Sequence, residues 1–398
     1  MTESSALAVW SGAEKAGLLA CEKGQRYVFG YDRDASGESQ VSLTMPVRLE
    51  SWTSRNLHPV FQMNLPEGAQ LELIRRALAK IAGDDDLTIL RVTGGNQIGH
   101  NRFTLPDAEN PGSTEPPESL EELLTYPDTE ELFHELLTRY ALRSGISGVQ
   151  PKVMLEATER GTVASAGFIV KAWGTDFPQL ATNEFFCMTA AKLAGLPTPD
   201  FHLSDNGRLF IMKRFDLAPD GTSLGFEDFC SLQGIGTSQK YSGSYEKLAR
   251  SLRDYVTGTH LMEARKQFFT TLVLSWLLRN GDAHLKNFGV LYRSPFGPVT
   301  LAPVYDLVST TPYIRNDVPA LTLEGSKKWW PKKVLERFAL AHLALSPGTI
   351  REVFEKTAVS VSATCETINS YCTDHPEFIE TGERMAAAWQ EGLAGFKG

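Results

Sequence analysis

The residues LMEARKQFFTTLVLSWLLRN (261–280) set Leu261, Phe268, Leu272, Val273, Trp276 and Leu277 on one stripe at helical spacing, which predicts a long helix with a buried face. The residues that follow, GDAHLKN (281–287), crowd an aspartate, a histidine, a lysine and an asparagine against the end of that apolar run. Polar side chains of this kind resist burial unless charge or hydrogen bonds compensate them. Any fold built on this helix must therefore bring a polar cluster to the edge of its core.

The chain offers room for more than one such core. Its 398 residues, 42% of them hydrophobic, suffice for two or three packed units. A formal charge of -9 argues against a surface that grips nucleic acid along its length, which needs clustered lysine and arginine. The five cysteines form an odd set without a CxxC pair and suit reduced thiols, and the N-terminus MTESSALAVW lacks a basic, then apolar leader. With no uncharged run long enough to span a bilayer, the expectation is a soluble, cytoplasmic chain without a membrane segment.

Short β-like runs, ALAVW (6–10), RYVFGYD (26–32) and VSLTMPV (41–47), predict a small N-terminal sheet, followed by a helix in EGAQLELIRRALAK (67–80) and extended chain in GGNQIGHNRFTLP (94–106). PDAENPGSTEPP (106–117) has little to bury and reads as a connector, which gives domains at 1–105, 118–215 and 216–398. ESLEELL and DTEELFHELLTRY predict two acidic helices. RSGISGVQPKVMLEA (143–157) reads as a small-residue loop entering a strand, either a phosphate cradle or a flexible turn. GFIVKAW (167–173) is a β-like run with Lys171 in its middle. Asn183 is the expected N-cap of the helix EFFCMTAAKLAGLP, where Glu184 suits the positive helix end or pairs with Lys171. A hairpin follows, turning at DNG (205–207).

This order of parts, a small-residue loop, a strand with lysine, a helix with glutamate, a hairpin and a helical remainder, parallels the layout of a kinase. Asp282 and Asn287 stand five apart, as do the aspartate and asparagine of the kinase pattern HRDxxxxN, although the HRD triplet is absent. Phosphoryl transfer asks for a carboxylate beside the attacking hydroxyl, an amide oxygen on magnesium and a second carboxylate on the metal. Asp282 fits the first role, Asn287 the second, and Asp306, isolated in the β-like run LAPVYDLVST, the third. Lys286 is a candidate for meeting the transferring phosphate and His284 for organising the site, each with an ordinary solvated or hydrogen-bonded alternative. The ligands this reading requires are ATP and Mg²⁺.

The segments SGVQPK (147–152), FIVK (168–171), NEFFCMTAAKLAGL (183–196), KRFD (213–216), NGDAHLKNFGV (280–290) and APVYDL (302–307) together resemble the HipA serine/threonine kinases of bacterial toxin–antitoxin systems. The resemblance implies an α+β, two-lobed protein-kinase-like fold, with a β-rich N-terminal part, an all-helical C-terminal lobe and ATP between them. It implies that Ser147 and Gly148 lie in the nucleotide loop, that Lys171 contacts the phosphates, and that Met212, Lys213 and Phe215 form the adenine hinge with Asp216 near the ribose. It further implies Asp282 as catalytic aspartate, and Asn287 and Asp306 on magnesium. A helix-turn-helix, HipB-like antitoxin is the implied partner, with DNA reached only through it. An aminoacyl-tRNA synthetase is the implied protein substrate, and growth arrest or persistence the implied outcome. Members commonly carry a serine where this chain has Gly145, so autophosphorylation is expected at Ser147, with Ser144 as the other candidate. The other readings are a catalytically silent binding module of kinase fold and a small-molecule or lipid phosphotransferase.

Overall fold

In a computed structural model, residues 6–22, 26–78, 85–109, 117–127, 129–140, 145–146, 150–159 and 165–396 are described. Along the chain these form β1 (Ala6–Ser11), β2 (Glu14–Glu22), β3 (Arg26–Tyr31), β4 (Trp52–Ser54), α1 (Pro59–Gln62), α2 (Gly68–Leu78), α3 (Asp86–Thr93) and β5 (Asn101–Thr104). Next come β6 (Glu118–Ser119), α4 (Leu120–Thr125), α5 (Thr129–Tyr140), β7 (Lys152–Thr158), β8 (Ser165–Lys171), α6 (Leu180–Leu193), β9 (Phe201–Leu203) and β10 (Phe210–Lys213). The remainder holds β11 (Gly225–Asp228), α7 (Phe229–Leu232), α8 (Tyr245–Tyr255), α9 (Gly258–Leu277), β12 (Gly289–Tyr292), β13 (Val299–Leu301), α10 (Lys332–Leu343), α11 (Pro347–Asp374) and α12 (Ile379–Ala394).

The chain divides into two compact units, and the first is discontinuous: residues 1–172, 204–237 and 291–298. Its N-terminal sheet runs β4-β3-β2-β1-β5, antiparallel in every pair. One face buries Leu7, Val9, Leu19, Phe29 and Phe103 against Phe61, Leu87 and Leu90. The period-two alternation of these strands makes such a one-sided core possible. A second sheet takes β6, β7, β8 and β10 in that order, and packs Val153, Leu155, Phe168, Val170 and Ile211 against Leu120, Phe133 and Leu136 of α4 and α5.

VSLTMPV is not a strand. Val41 and Met45 are buried, but the segment turns, because the Ser42 hydroxyl and the Leu43 amide bond the carboxylate of Glu227 at 2.7 Å each. Pro46, in the same run, has no amide to give a ladder. Glu227 is wholly buried and accepts two further hydrogen bonds, from Tyr292 at 3.0 Å and Ser231 at 3.2 Å. Burial raises its pKa while these four donors oppose the rise.

The second unit, residues 173–203, 238–290 and 299–398, is mainly helical, but the C-terminal part of the chain is not the all-helical lobe expected, since β11, β12 and β13 fall within residues 216–398. Its central helix is α9, which buries Phe268, Phe269, Leu272, Val273, Trp276 and Leu277. Gly392 of α12 lies so close to it that a Cβ there would come within 2.2 Å of the Leu277 carbonyl oxygen. α6 starts earlier than its sequence indicates. Gln179 precedes it in a left-handed conformation, and Asn183, the expected N-cap, is buried inside the helix. The Asn183 side chain instead bonds the backbone of Ser309 in both directions, donating at 2.9 Å and accepting at 2.8 Å. Glu184 is likewise buried within the helix rather than displayed at its end. None of the described helices is long and apolar enough to cross a membrane.

Candidate active site

The end of α9 is shaped by a left-handed residue that is not glycine. Arg279 has φ of 56°, and the Asn280 amide closes back on the Ser275 carbonyl at 2.8 Å, the pattern of a Schellman stop. The turn is then fixed by the Gly281 amide, which donates to the Thr310 hydroxyl at 2.7 Å, and by the Asp282 amide, which donates to Asn280 Oδ1 at 2.9 Å. A side chain at Gly281 would have to drive Asp317 aside, since a Cβ would stand 1.9 Å from Asp317 Oδ2. The apolar helix thus hands the chain to a rigid polar turn at a defined point.

Four of the expected residues meet around that turn. Asn287 Oδ1 accepts the His284 amide at 3.0 Å, and Asn287 Nδ2 donates to Asp306 Oδ2 at 3.0 Å. His284 is buried, with its Nε2 at 3.9 Å from Asp282 Oδ1. Asp306 is half-buried and lies in irregular chain beyond β13, not in the strand predicted for it. The backbone there is carried instead by bonds to segments distant in sequence: Ala302 donates to the Gly289 carbonyl at 2.9 Å and Val304 to that of Pro197 at the same distance. Lys286 is half-buried, and its carbonyl accepts the Tyr305 hydroxyl.

Asp282 has 40% of its side-chain surface open, yet protein encloses the carboxyl closely enough that desolvation pushes its pKa up to about 6. The hydrogen bond from Tyr241 opposes that rise, as does Lys240, whereas the charges of Asp306 and Asp317 add to it. Tyr241 and Lys240 were not anticipated. The Tyr241 hydroxyl donates to Asp282 Oδ1 at 2.6 Å, and its ring packs edge-on to His284 with centroids 4.9 Å apart. Lys240 is buried, its ammonium 5.5 Å from the Tyr241 ring. No local signal betrays them: they lie some forty residues before Asp282, in a turn whose sequence, KYSGSY, shows no charge pattern of its own.

Asn287 and Asp306 are the candidates for holding magnesium: Asn287 turns its Nδ2 to Asp306, and its Oδ1, which accepts the His284 amide, keeps one lone pair for a cation. One carboxylate and one amide oxygen, completed by phosphate and water, form an ordinary site for this cation, which seldom takes an all-protein cage. Among the described residues no cluster of three or more histidines, cysteines, aspartates or glutamates is arranged for a metal.

In the first unit, Lys171 ends β8 rather than standing in mid-strand, and it is buried. Its register partner on β7 is Lys152, also buried, and its ammonium lies 5.7 Å from the Phe210 ring. Met212 is buried on β10, Lys213 reaches Glu159 at 3.4 Å, and Phe215 is half-buried edge-on to Phe226. Asp216 faces inward. It is fully buried, with Arg214 Nε at 3.0 Å from Oδ1, Arg214 Nη2 at 2.6 Å from Oδ2 and the Gly99 amide donating to Oδ2 at 2.7 Å. Both oxygens accept hydrogen bonds from protein, so the ribose contact that the resemblance implies would compete with them. Ser144, Ser147 and Gly148 lie outside the described residues. Gly145 is described: its amide donates to the Asn96 carbonyl at 2.8 Å, and a Cβ there would fall 2.6 Å from Gln97 Cγ, so a larger residue in this position would displace that side chain.

Residues 7–104 match the HipA N-terminal domain family and residues 144–365 the HipA-like C-terminal domain family. The chain is 31% identical over 288 residues to Y4dM of Sinorhizobium fredii, named as a candidate kinase, in a match that covers 66% of this chain and 63% of the relative. It is 28% identical to Y4mE of the same organism, also named as a candidate kinase, over 77% of this chain and 78% of that one. The chain therefore spans less than two thirds of the length of the first of these relatives. A chain from the Shewanella oneidensis MR-1 toxin–antitoxin complex of HipA, HipB and operator DNA has the same fold, with a TM-score of 0.72 at 19% identity and 97% of both chains covered. The α+β architecture expected from the sequence is thus the HipA fold, and with a family match across more than half of its residues the chain belongs to the HipA-like family.

Proposed function

We propose that this protein is an ATP-dependent serine/threonine protein kinase and the toxin of a toxin–antitoxin pair. The observation that carries the reading is the turn in the second unit, where Asn287 bonds Asp306 beside an Asp282 whose pKa burial brings to about 6. Bound Mg-ATP supplies the phosphoryl group and the charge that neutralises it during transfer. Asn287 and Asp306 would hold the metal, and Lys171 is the candidate phosphate contact that the family resemblance implies. Asp282, largely ionised at neutral pH, accepts the hydrogen bond of the acceptor hydroxyl and then its proton, which is the task of a base poised near the working pH. His284 keeps Asn287 in place through its amide, and Lys286 is the candidate for meeting the transferred group.

The likeness in fold to the HipA of a HipA–HipB–DNA complex is the reason for extending this to a HipB-like helix-turn-helix antitoxin partner, with operator DNA bound through it. The formal charge of -9 agrees with leaving DNA to a partner. A translation component such as an aminoacyl-tRNA synthetase is the proposed substrate, and Ser147 the proposed site of self-phosphorylation. Phosphoproteomics after induced expression tests the activity, the substrate and the self-phosphorylation together. The expected result is one dominant translation-associated phosphoprotein and phosphate on Ser147, both lost in Asp282→Ala. ATP and Mg²⁺ binding without any phosphate transfer, alongside intact antitoxin binding, would make the protein a silent binding module instead.

A further inference from the structure

The Tyr241 hydroxyl stands on Asp282 Oδ1 where an acceptor hydroxyl has to stand, and 42% of the Tyr241 residue surface faces solvent. Its backbone is pinned independently of the phenol. The Leu285 amide donates to the Lys240 carbonyl at 3.2 Å, the Tyr245 hydroxyl to the Ala283 carbonyl at 3.1 Å, and Lys327 Nζ to the Tyr241 carbonyl at 3.1 Å. Gly243, with φ of 150°, lets the chain turn directly into α8. The arrangement is a fixed turn carrying a side chain that can rotate away on its own, since exposed rotamer changes are rapid and need no backbone movement.

We infer that Tyr241 is a specificity-determining residue for phosphoryl transfer: its phenol holds the acceptor's place on Asp282 and yields only to a hydroxyl that the other contacts of its carrier press onto the carboxylate. The inference rests on the reading of Asp282 as the base. Water, a weak competitor held by no other contacts, is kept off Asp282 Oδ1, so less nucleotide is wasted on hydrolysis. A serine or threonine hydroxyl presented by a bound protein substrate has its other contacts to help displace the phenol. Hydrogen bonds to charged groups are strong enough for their loss to matter about tenfold in occupancy, and partial exposure lowers that to roughly three- to tenfold.

Two measurements test this. In the protein without nucleotide, 3-fluorotyrosine placed at position 241 should show a ¹⁹F signal that moves when Asp282 is changed to Asn; an unmoved signal overturns the inference, because the contact is then absent. With Mg-ATP and no protein acceptor, ADP formation should rise roughly three- to tenfold in Tyr241→Phe, which keeps the ring against His284 but cannot bond the carboxylate, and should vanish in Tyr241→Phe combined with Asp282→Asn. ADP formation unchanged or reduced in Tyr241→Phe, while the parent remains Asp282-dependent, makes the phenol a structural prop and refutes the inference alone. No ADP from any form, although ATP binds, refutes the catalytic reading of Asp282 and the inference with it.

Discussion

Replacing Asp216 by alanine separates a structural role from a ligand role at a residue that the sequence motif assigns to the nucleotide. The carboxylate is fully buried and takes three hydrogen bonds, two from Arg214 and one from the Gly99 amide. Arg214, also buried, continues to Asn96 Oδ1 and the Gln97 carbonyl, both at 2.7 Å. Arg102 lies in the same field, with a pKa that burial and the charge of Arg214 lower to about 10 and that Asp216 raises. Removing the carboxylate therefore leaves two guanidinium groups with no counter-charge from Asp216, and leaves the Gly99 amide without its acceptor. Breaking a buried pair from one side costs about 3–5 kcal/mol. The Gly99 amide is part of the same network, so its loss does not add in full. Urea unfolding followed by circular dichroism should show a fall of this size, with hydrogen exchange accelerated in peptides covering 94–104. The double change Arg214→Met with Asp216→Leu should recover most of the loss. A cost below about 1 kcal/mol, accompanied by weakened ATP binding, would refute the argument and return Asp216 to the ribose.

Other substitutions probe the remaining contacts. Gly281→Ala should destabilise the protein by about 2 kcal/mol by driving the Asp317 carboxylate off the turn, and Asp317→Ala in the same chain should restore part of that, as a thermal-melt double-mutant cycle would show. Glu227→Leu should cost about 3 kcal/mol because it strands buried donors, whereas Glu227→Gln should stay within about 1 kcal/mol, its NH₂ placed toward the Ser42 and Ser231 hydroxyls, which can turn to accept. The Asp282 carboxyl, ordinarily near 4 when unfolded, has its folded pKa raised to about 6, so its proton stabilises the fold below that unfolded value and the benefit is lost as pH rises through 6. Asp282→Asn should accordingly gain about 1–1.5 kcal/mol over the parent at pH 8 relative to pH 4, a figure already reduced for the partial exposure of the side chain. Phosphoryl transfer, measured as ADP formation, should fall away on the acid side with a midpoint near pH 6.

The chemistry of the second unit was legible where it is local. An apolar stripe announces α9, and the spacing from Asp282 to Asn287 survives folding because a single short turn holds both. What escaped depends on distant partners. Asn183 looks like a cap until its amide finds Ser309, VSLTMPV looks like a strand until Glu227 takes its donors, and Asp306 looks like a strand residue although its neighbours bond to Gly289 and Pro197. Strand β2, EKAGLLACE, passed unnoticed because its polar ends and central glycine mask the alternation, and that glycine sits where a Cβ would be 2.1 Å from the Gly30 carbonyl oxygen. Tyr241 and Lys240 could not be foreseen because nothing in a turn's own residues says which carboxylate it will meet.

The three-part composition of the first unit bears on how the protein is made. Strand β8 has β7 on one side and, on the other, β10, which is synthesised some forty residues later. Tyr292, a donor to Glu227, emerges later still. A nascent chain halted at residue 172 would therefore display the Lys171 strand as an open sheet edge, prone to pairing with other chains. Ribosome-bound intermediates should stay sensitive to protease in this unit until translation has passed residue 298, long after its N-terminal sheet has left the ribosome.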